Sequence, residues 1–435
     1  MANGNPFPSH QLSRRSCLSG GLAGAGFLAL SAGRALARSQ KGPISPDDPF
    51  WLSVQSGFPI DRSVANFNAS AVYPTTATSM QALETYNRQM NQVPVDTLWE
   101  LWRKREGIRQ SLAKLVSAPA ECVALTRNAT EALNIVQLGL PMKAGDDVVT
   151  TNHDYWSVFN AFRQRELRDG IRTRVATIPF PSENPDEIVA LIAAKITART
   201  RLVVVSHINF TTGQIIPVRE ICAMAAAKGV PVLVDGAHAL GQIDVQISEL
   251  GCAFYAANLH KWLMAPVGCG MLCVQTDWIE RVWPHSPTWP GQERDIRKFD
   301  EVGTVSPTAW LAAGEAIQFQ SALGAETKAA RLRHLRAKWL DPIKDLPGVK
   351  LHTSLDPRFS CGMAAVQIRD LDGVEIDKFL YARHQVRIVD MIWPPPPEKP
   401  YINAIRISVG LHNTEDDFVR LAEGLDDVIR KGLTA

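Results

Sequence analysis

Between Cys122 and Val274 the chain alternates short runs rich in β-branched residues with stretches whose apolar positions recur at helical spacing. The runs predict strands over 123–126, 148–151, 173–178, 202–207, 232–235, 253–256 and 270–274, and the stretches between them predict helices over 130–140, 157–168, 186–196 and 218–228. Such alternation favours a largely parallel sheet covered by helices, with ligands beyond the carboxyl ends of the strands. Asp235 and His207 both fall at such ends. Past residue 300 the rhythm changes. Ser306-Pro307 predicts an N-cap followed by proline at the first helical position, and two helical patterns then run to about Lys344. Strands are expected over 363–368, 387–392 and 405–409, with helices over 373–383 and 415–430. This is the pattern of a second, α+β domain. Pro394 to Pro397, flanked by Trp393 and Tyr401, predict a stiff loop beside the domain cleft rather than an extended docking motif.

Length and composition make that picture more definite. At 435 residues, 46% of them hydrophobic, the chain exceeds one typical domain. The expected division is a signal segment over 1–37, an N-terminal arm over 38–70, a large domain over 71–305 and a small domain over 306–435. A net charge of +2 with no block of like charge gives no nucleic-acid surface. Ser13-Arg14-Arg15-Ser16-Cys17-Leu18 precedes an uncharged Gly/Ala/Leu-rich run to Gly33, and Ala35-Leu36-Ala37 offers a cleavage site. This order matches a twin-arginine signal, which implies the twin-arginine export machinery as a partner and a periplasmic address. The run is shorter than the roughly 20 residues a membrane-spanning helix needs, so no stable membrane insertion is expected. Of the seven cysteines, Cys17 lies in the signal. The rest read as buried thiols; Cys269 and Cys273 lack the second pair a zinc site needs.

Candidate chemistry centres on two residues. Asp235 closes the apolar run Val230-Pro231-Val232-Leu233-Val234, and Lys261 stands in Ala256-Ala257-Asn258-Leu259-His260-Lys261-Trp262. Each alone is weak, since an Asp at a strand end is often a turn former and a loop Lys is usually solvated. As a pair they suit pyridoxal phosphate, which needs an amine to hold it covalently and move protons at Cα, and a carboxylate to keep its pyridine nitrogen protonated. Asn128-Ala129-Thr130-Glu131 opens a helix after a strand, where unpaired amides favour a phosphate; a plain N-cap would look the same.

With Val234-Asp235-Gly236-Ala237-His238-Ala239, Asn258-Leu259-His260-Lys261-Trp262-Leu263 and Ala265-Pro266-Val267-Gly268-Cys269-Gly270, the chain resembles the class V aminotransferase family over about residues 50–430. These are fold-type-I pyridoxal phosphate enzymes, and the likeness is greatest to the branch of isopenicillin N epimerase. The resemblance implies an α/β fold with a mainly parallel sheet in the large domain. It implies that Lys261 is the catalytic, cofactor-bearing lysine, that Ala129, Thr130, Asn258 and His260 face the cofactor phosphate, and that His153 stacks on the ring. Asp235 then meets the ring nitrogen and His238 the phenolic oxygen, where many relatives carry glutamine. Gly303-Thr304 resembles the motif that reaches the phosphate from a neighbouring subunit, which implies a homodimer. Arg406, in Ile405-Arg406-Ile407-Ser408…Asn413-Thr414, matches the arginine that clamps the substrate carboxylate. One departure is informative. Desulfurases keep a nucleophilic cysteine where this chain reads Val386-Arg387-Ile388-Val389-Asp390-Met391-Ile392, so desulfurase activity is disfavoured. Transamination, epimerisation, β-elimination and oxidative decarboxylation stay open; epimerisation needs a second proton donor, for which Tyr155 is the candidate. With the exported address, the chain also resembles the periplasmic enzyme that tailors the glutamate attached to pyoverdine siderophores, so a small-molecule or peptide-linked amino acid is the expected substrate.

Overall fold

The computed structural model describes residues 44–393 and 402–434. The signal segment and the Pro394–Pro397 loop with Tyr401 lie outside the described residues. In chain order, α1 (Phe50–Gln55) and β1 (Ala65–Asn66) precede α2 (Ala77–Gln92) and α3 (Pro94–Leu115). Then follow β2 (Val123–Thr126), α4 (Ala129–Gly139), β3 (Asp147–Thr151), α5 (Trp156–Asp169), β4 (Arg172–Ala176), α6 (Pro185–Ala193), β5 (Thr200–Ser206), α7 (Val218–Ala226), β6 (Val232–Asp235), β7 (Phe254–Asn258) and β8 (Gly270–Val274).

The seven strands β2 to β8 form one sheet in the order β2-β8-β7-β6-β5-β3-β4, parallel throughout except that β8 runs against both neighbours. Because side chains alternate across a strand, Val148, Val204 and Leu233 enter one apolar cluster while Val149, Val205 and Val234 enter the other. Both faces are therefore covered, which explains the continuous apolar runs in the sequence. The carboxyl ends of β3, β5, β6 and β7 come together at one rim.

The remaining elements are α8 (Thr308–Leu323), α9 (Ala325–Leu340), β9 (Val349–Leu351), β10 (Met363–Ile368), α10 (Gly373–His384), β11 (Val386–Arg387), β12 (Val389–Trp393), β13 (Ile402–Ser408) and α11 (Glu415–Lys431). An antiparallel sheet in the order β12-β13-β10-β9 carries α10 on one side, and α10 packs on α11. The α11 N-terminus closes with a capping box: Thr414 Oγ1 accepts from the Asp417 amide and Asp417 from the Thr414 amide.

Three expectations are corrected. Pro307 precedes the helix rather than occupying its first position; Thr308 opens α8, with Ser306 Oγ 2.8 Å from its hydroxyl. The expected single strand over 387–392 is two, because β11 turns away to pair in parallel with β1, Ala65 opposite Val386, while β12 joins β13. Helices α2 and α3 fall outside the predicted set; they pack against α8. So residues 308–323 lie on N-terminal elements, and the N-terminal arm lies on C-terminal ones.

Candidate active site

Lys261 sits just past β7 in a turn closed by the Met264 amide donating to the Lys261 carbonyl at 2.8 Å. Its half-buried amine lies 3.1 Å from His238 Nε2. Burial pushes the amine down to about 8, with the Asp235 carboxylate opposing and the Arg406 charge adding to the fall. The amine therefore carries a neutral, nucleophilic fraction of roughly a tenth to a fifth near physiological pH, far more than an ordinary lysine does. His238 is fully enclosed, and burial with the charges of Lys261 and Arg406 holds it well below its ordinary value. It is a neutral ring whose Nδ1 is buried without a partner.

Asp235 ends β6 at the rim. Burial raises its carboxyl to about 6, against the Ala237 amide that donates to Oδ1 at 2.9 Å and against the charge of Lys261; nearby Asp154 adds to the rise. Asp154 itself is a buried carboxylate saturated with donors. Thr150 Oγ1, Thr151 N and Thr151 Oγ1 reach Oδ2 at 2.7, 2.7 and 2.9 Å, and Ser206 N and Oγ reach Oδ1 at 2.7 and 2.8 Å. It ties the end of β3 to the end of β5 and thereby fixes the loop that bears His153.

His153 lies in that loop, buried, with Nε2 3.0 Å from the Ile178 carbonyl and Nδ1 3.1 Å from Thr211 Oγ1. A carbonyl only accepts, so Nε2 carries the proton and Nδ1 accepts from the threonine. Burial drops the ring to about 4, so it is neutral. Its edge meets Phe180 at 4.2 Å between centroids. His207, also at the rim, bonds Tyr255 Oη at 3.0 Å.

The turn before α4 is tied to β7. Asn258 Oδ1 accepts from the Ala129 amide at 2.8 Å, and Asn128 Oδ1 caps Glu131 N at 2.8 Å. The Ala129 N–H is therefore committed, and the donors left for a ligand are the amide and hydroxyl of exposed Thr130 and the side-chain NH2 of buried Asn258. Gly270 on β8 makes this approach possible: a Cβ there would stand 2.7 Å from Asn128 Cα. His260, beside Lys261, has a buried Nδ1 without a partner, and burial lowers its ring.

Arg406 occupies the middle of β13, opposite Ala365 on β10 and Val389 on β12. It is 5% exposed, its guanidinium donates to the Phe210 carbonyl, and its Nε is buried without a partner. Among the described residues no carboxylate pairs with it, and burial lowers it to about 10. Tyr155 stands beside Arg406, its ring 5.1 Å from that of Phe210, which meets Trp393 at 4.8 Å. This aromatic wall flanks the arginine.

The structure thus gathers Lys261, Asp235, His238 and Arg406 into one electrostatically coupled group, with His153, Asn258, His260 and the α4 turn on the same rim. Thr304 is not among them. Within one chain Gly303 and Thr304 are exposed, beside Trp289 and Arg297 on a cavity of about 550 Å³. Asp154 and the Phe210 carbonyl went unread in the sequence. Asp154 had a signal, since it follows two threonines and ends a polar run just past a strand; the carbonyl had none.

The family model for aminotransferase class V matches residues 67–421. Isopenicillin N epimerase of Streptomyces clavuligerus is 31% identical over 86% of this chain and 98% of its own length. A probable cysteine desulfurase of Methanothermobacter thermautotrophicus is 24% identical over 87% and 98%. Among solved structures, a mutant of C-DES with glycine covalently linked to its PLP cofactor superposes with a TM-score of 0.75 at 21% identity, covering 86% of this chain and 99% of that one. With Lys261 and Asp235 electrostatically coupled at the rim of a mainly parallel sheet and the match spanning most of its length, the chain belongs to the aminotransferase class V family, the fold-type-I pyridoxal phosphate enzymes.

Proposed function

We propose that this enzyme acts at Cα of an amino acid, free or borne on a small peptide, with pyridoxal phosphate held by Lys261. The observation that carries this reading is the buried Arg406 guanidinium, without a carboxylate partner among the described residues and close enough to depress the Lys261 amine. A substrate α-carboxylate is the anion that such a fork pairs with best.

The residues fit the cofactor. Thr130, the Asn258 NH2 and the His260 ring would hold its phosphate, His153 would lie flat on its ring, and the unpartnered His238 Nδ1 would meet a ring oxygen. Asp235, kept from water, would hold a proton on the ring nitrogen. When bound, the cofactor supplies an electron-accepting ring for the pair released at Cα. The chain does the rest: Arg406 orients the substrate, Lys261 takes and returns the Cα proton, and the Tyr155–Phe210–Trp393 wall excludes water on the Arg406 side. The purified protein should absorb in the visible, lose that band to borohydride, and carry a phosphopyridoxyl group on Lys261. A Lys261→Ala variant that keeps the adduct would overturn the assignment.

The address supports a more specific reading: an exported enzyme that tailors the glutamate of a pyoverdine-type siderophore by transamination or oxidative decarboxylation. Changing Arg14 and Arg15 to lysine should leave active enzyme in the cytoplasm. Mass analysis of ferribactin-like peptides incubated with the enzyme should show the glutamate altered. Epimerisation is the second reading, favoured by the 31% identical epimerase. It predicts deuterium uptake at Cα with inversion and no change of mass beyond that exchange. Desulfuration is disfavoured despite the 24% identical probable desulfurase, since all six described cysteines are free and buried and none lies between 386 and 392.

A further inference from the structure

Lys328, on α9, is completely buried yet has no carboxylate partner among the described residues. Its ammonium donates to the Trp262 carbonyl and, at 3.0 Å, to Gln320 Oε1; Met264 Sδ lies 3.8 Å away and the Tyr73 ring centroid 5.8 Å. These contacts converge on the turn that carries the Lys261 amine. In that turn Met264 adopts φ +62°, a conformation that costs a non-glycine residue on the order of 1 kcal/mol or more. From the other side Gly241, at φ +81°, lies so close that a Cβ would be 2.8 Å from the Trp262 oxygen. The turn is therefore held between a glycine that admits no side chain and a lysine that satisfies its inward carbonyl.

We propose that Lys328 is a positioning residue for Lys261: by anchoring the Trp262 carbonyl it fixes the turn from which the Lys261 amine rises toward Asp235 and His238. The inference rests on Lys261 being the reactive amine. Burial costs Lys328 charge, bringing its amine down to about 7. The titratable groups facing it, Cys361 and Tyr73, are both held protonated at neutral pH by burial, so Cys361 opposes the fall only as its thiol ionises. A buried lysine so disfavoured is accounted for by the carbonyl it serves.

The test reads the Lys261 amine directly in cofactor-stripped enzyme, by its rate of acetylation with acetic anhydride against pH, followed by peptide mass analysis. This readout needs no cofactor, so it stands even if the cofactor reading fails. In Lys328→Met the turn relaxes and the amine regains water. Its titration midpoint should rise by about one unit, which lowers its neutral fraction at pH 8 about fivefold. Lys328→Arg, which keeps an N–H donor for the carbonyl, should recover most of the loss. Where Lys328→Met does not fold, Gln320→Glu decides: it preserves volume while drawing the ammonium off the carbonyl, and should raise the midpoint in the same direction. An unchanged Lys261 midpoint in folded Lys328→Met, or in Gln320→Glu where that variant does not fold, overturns the proposal.

Discussion

Arg406 and Lys261 show how burial, as the main cause, can ready two cations for opposite tasks. The amine is lowered to about 8 and so loses its proton readily near neutral pH, whereas the guanidinium at about 10 stays charged. Because a charge-assisted pair is worth about 1.5–3 kcal/mol, Arg406→Ala should weaken amino-acid binding by roughly one to two orders of magnitude while cofactor retention, measured by the visible band after dialysis, barely changes. Loss of the cofactor with normal amino-acid binding would place Arg406 in the phosphate site instead. Both residues were legible in the sequence because short neighbouring runs mark them. Lys328 was not: it is one cation among several on an apolar-striped helix, and only the fold reveals that its carbonyl partner lies at residue 262.

At the scale of elements, the turn before α4 depends on β7 as much as on its own helix. Asn258 spends its carbonyl oxygen on the Ala129 amide and keeps its NH2 outward. Asn258→Ala should therefore cost about 1 kcal/mol of stability, as losing a helix cap does, and should speed release of pyridoxal phosphate in a dialysis series. Asn258→Asp keeps the acceptor but presents a negative oxygen outward, so it should retain the stability and still lose the cofactor. Retention in both variants equal to that of the unaltered protein would show that Asn258 serves the helix only. The strands themselves were readable, since apolar runs bounded by turn residues fix β2 to β8 within a few residues. The tie between Asn258 and Ala129 was not, because hydrogen bonds between distant segments leave no local period. The same holds for β11, whose separation from β12 is decided by β1.

Across the whole molecule, buried groups of two kinds set how stability should vary with pH. Lys328 at about 7 and Lys261 at about 8 bind fewer protons folded than unfolded, so each adds stability as pH rises from about 7 toward the ordinary lysine value. Burial has the opposite consequence for thiols. Cys222 and Cys273 are raised to about 12 and Cys361 to about 11, so above pH 8.5 the unfolded chain loses protons that the folded one keeps, and stability falls. The melting temperature of the cofactor-free protein should climb from pH 7 to about 8.5 and then decline. Lys328→Met should flatten the rising limb, whereas a steady decline from pH 7 in the unaltered protein would contradict the assigned lysine environments.

The parallel pairing of Ala65 with Val386 joins the beginning of the described chain almost to its end. Closing so wide a loop is entropically costly and slow, and it has a consequence for synthesis. While the polypeptide is still emerging, residues 65–66 have no strand to join, and the stretch around them stays open to chaperones and proteases until β11 has left the ribosome. The rim beside Lys261 is finished later still, since Arg406 arrives after nine-tenths of the chain has been made. Ribosome-stalled chains ending before residue 386 should be cut readily near residue 65 by a protease that spares the complete protein.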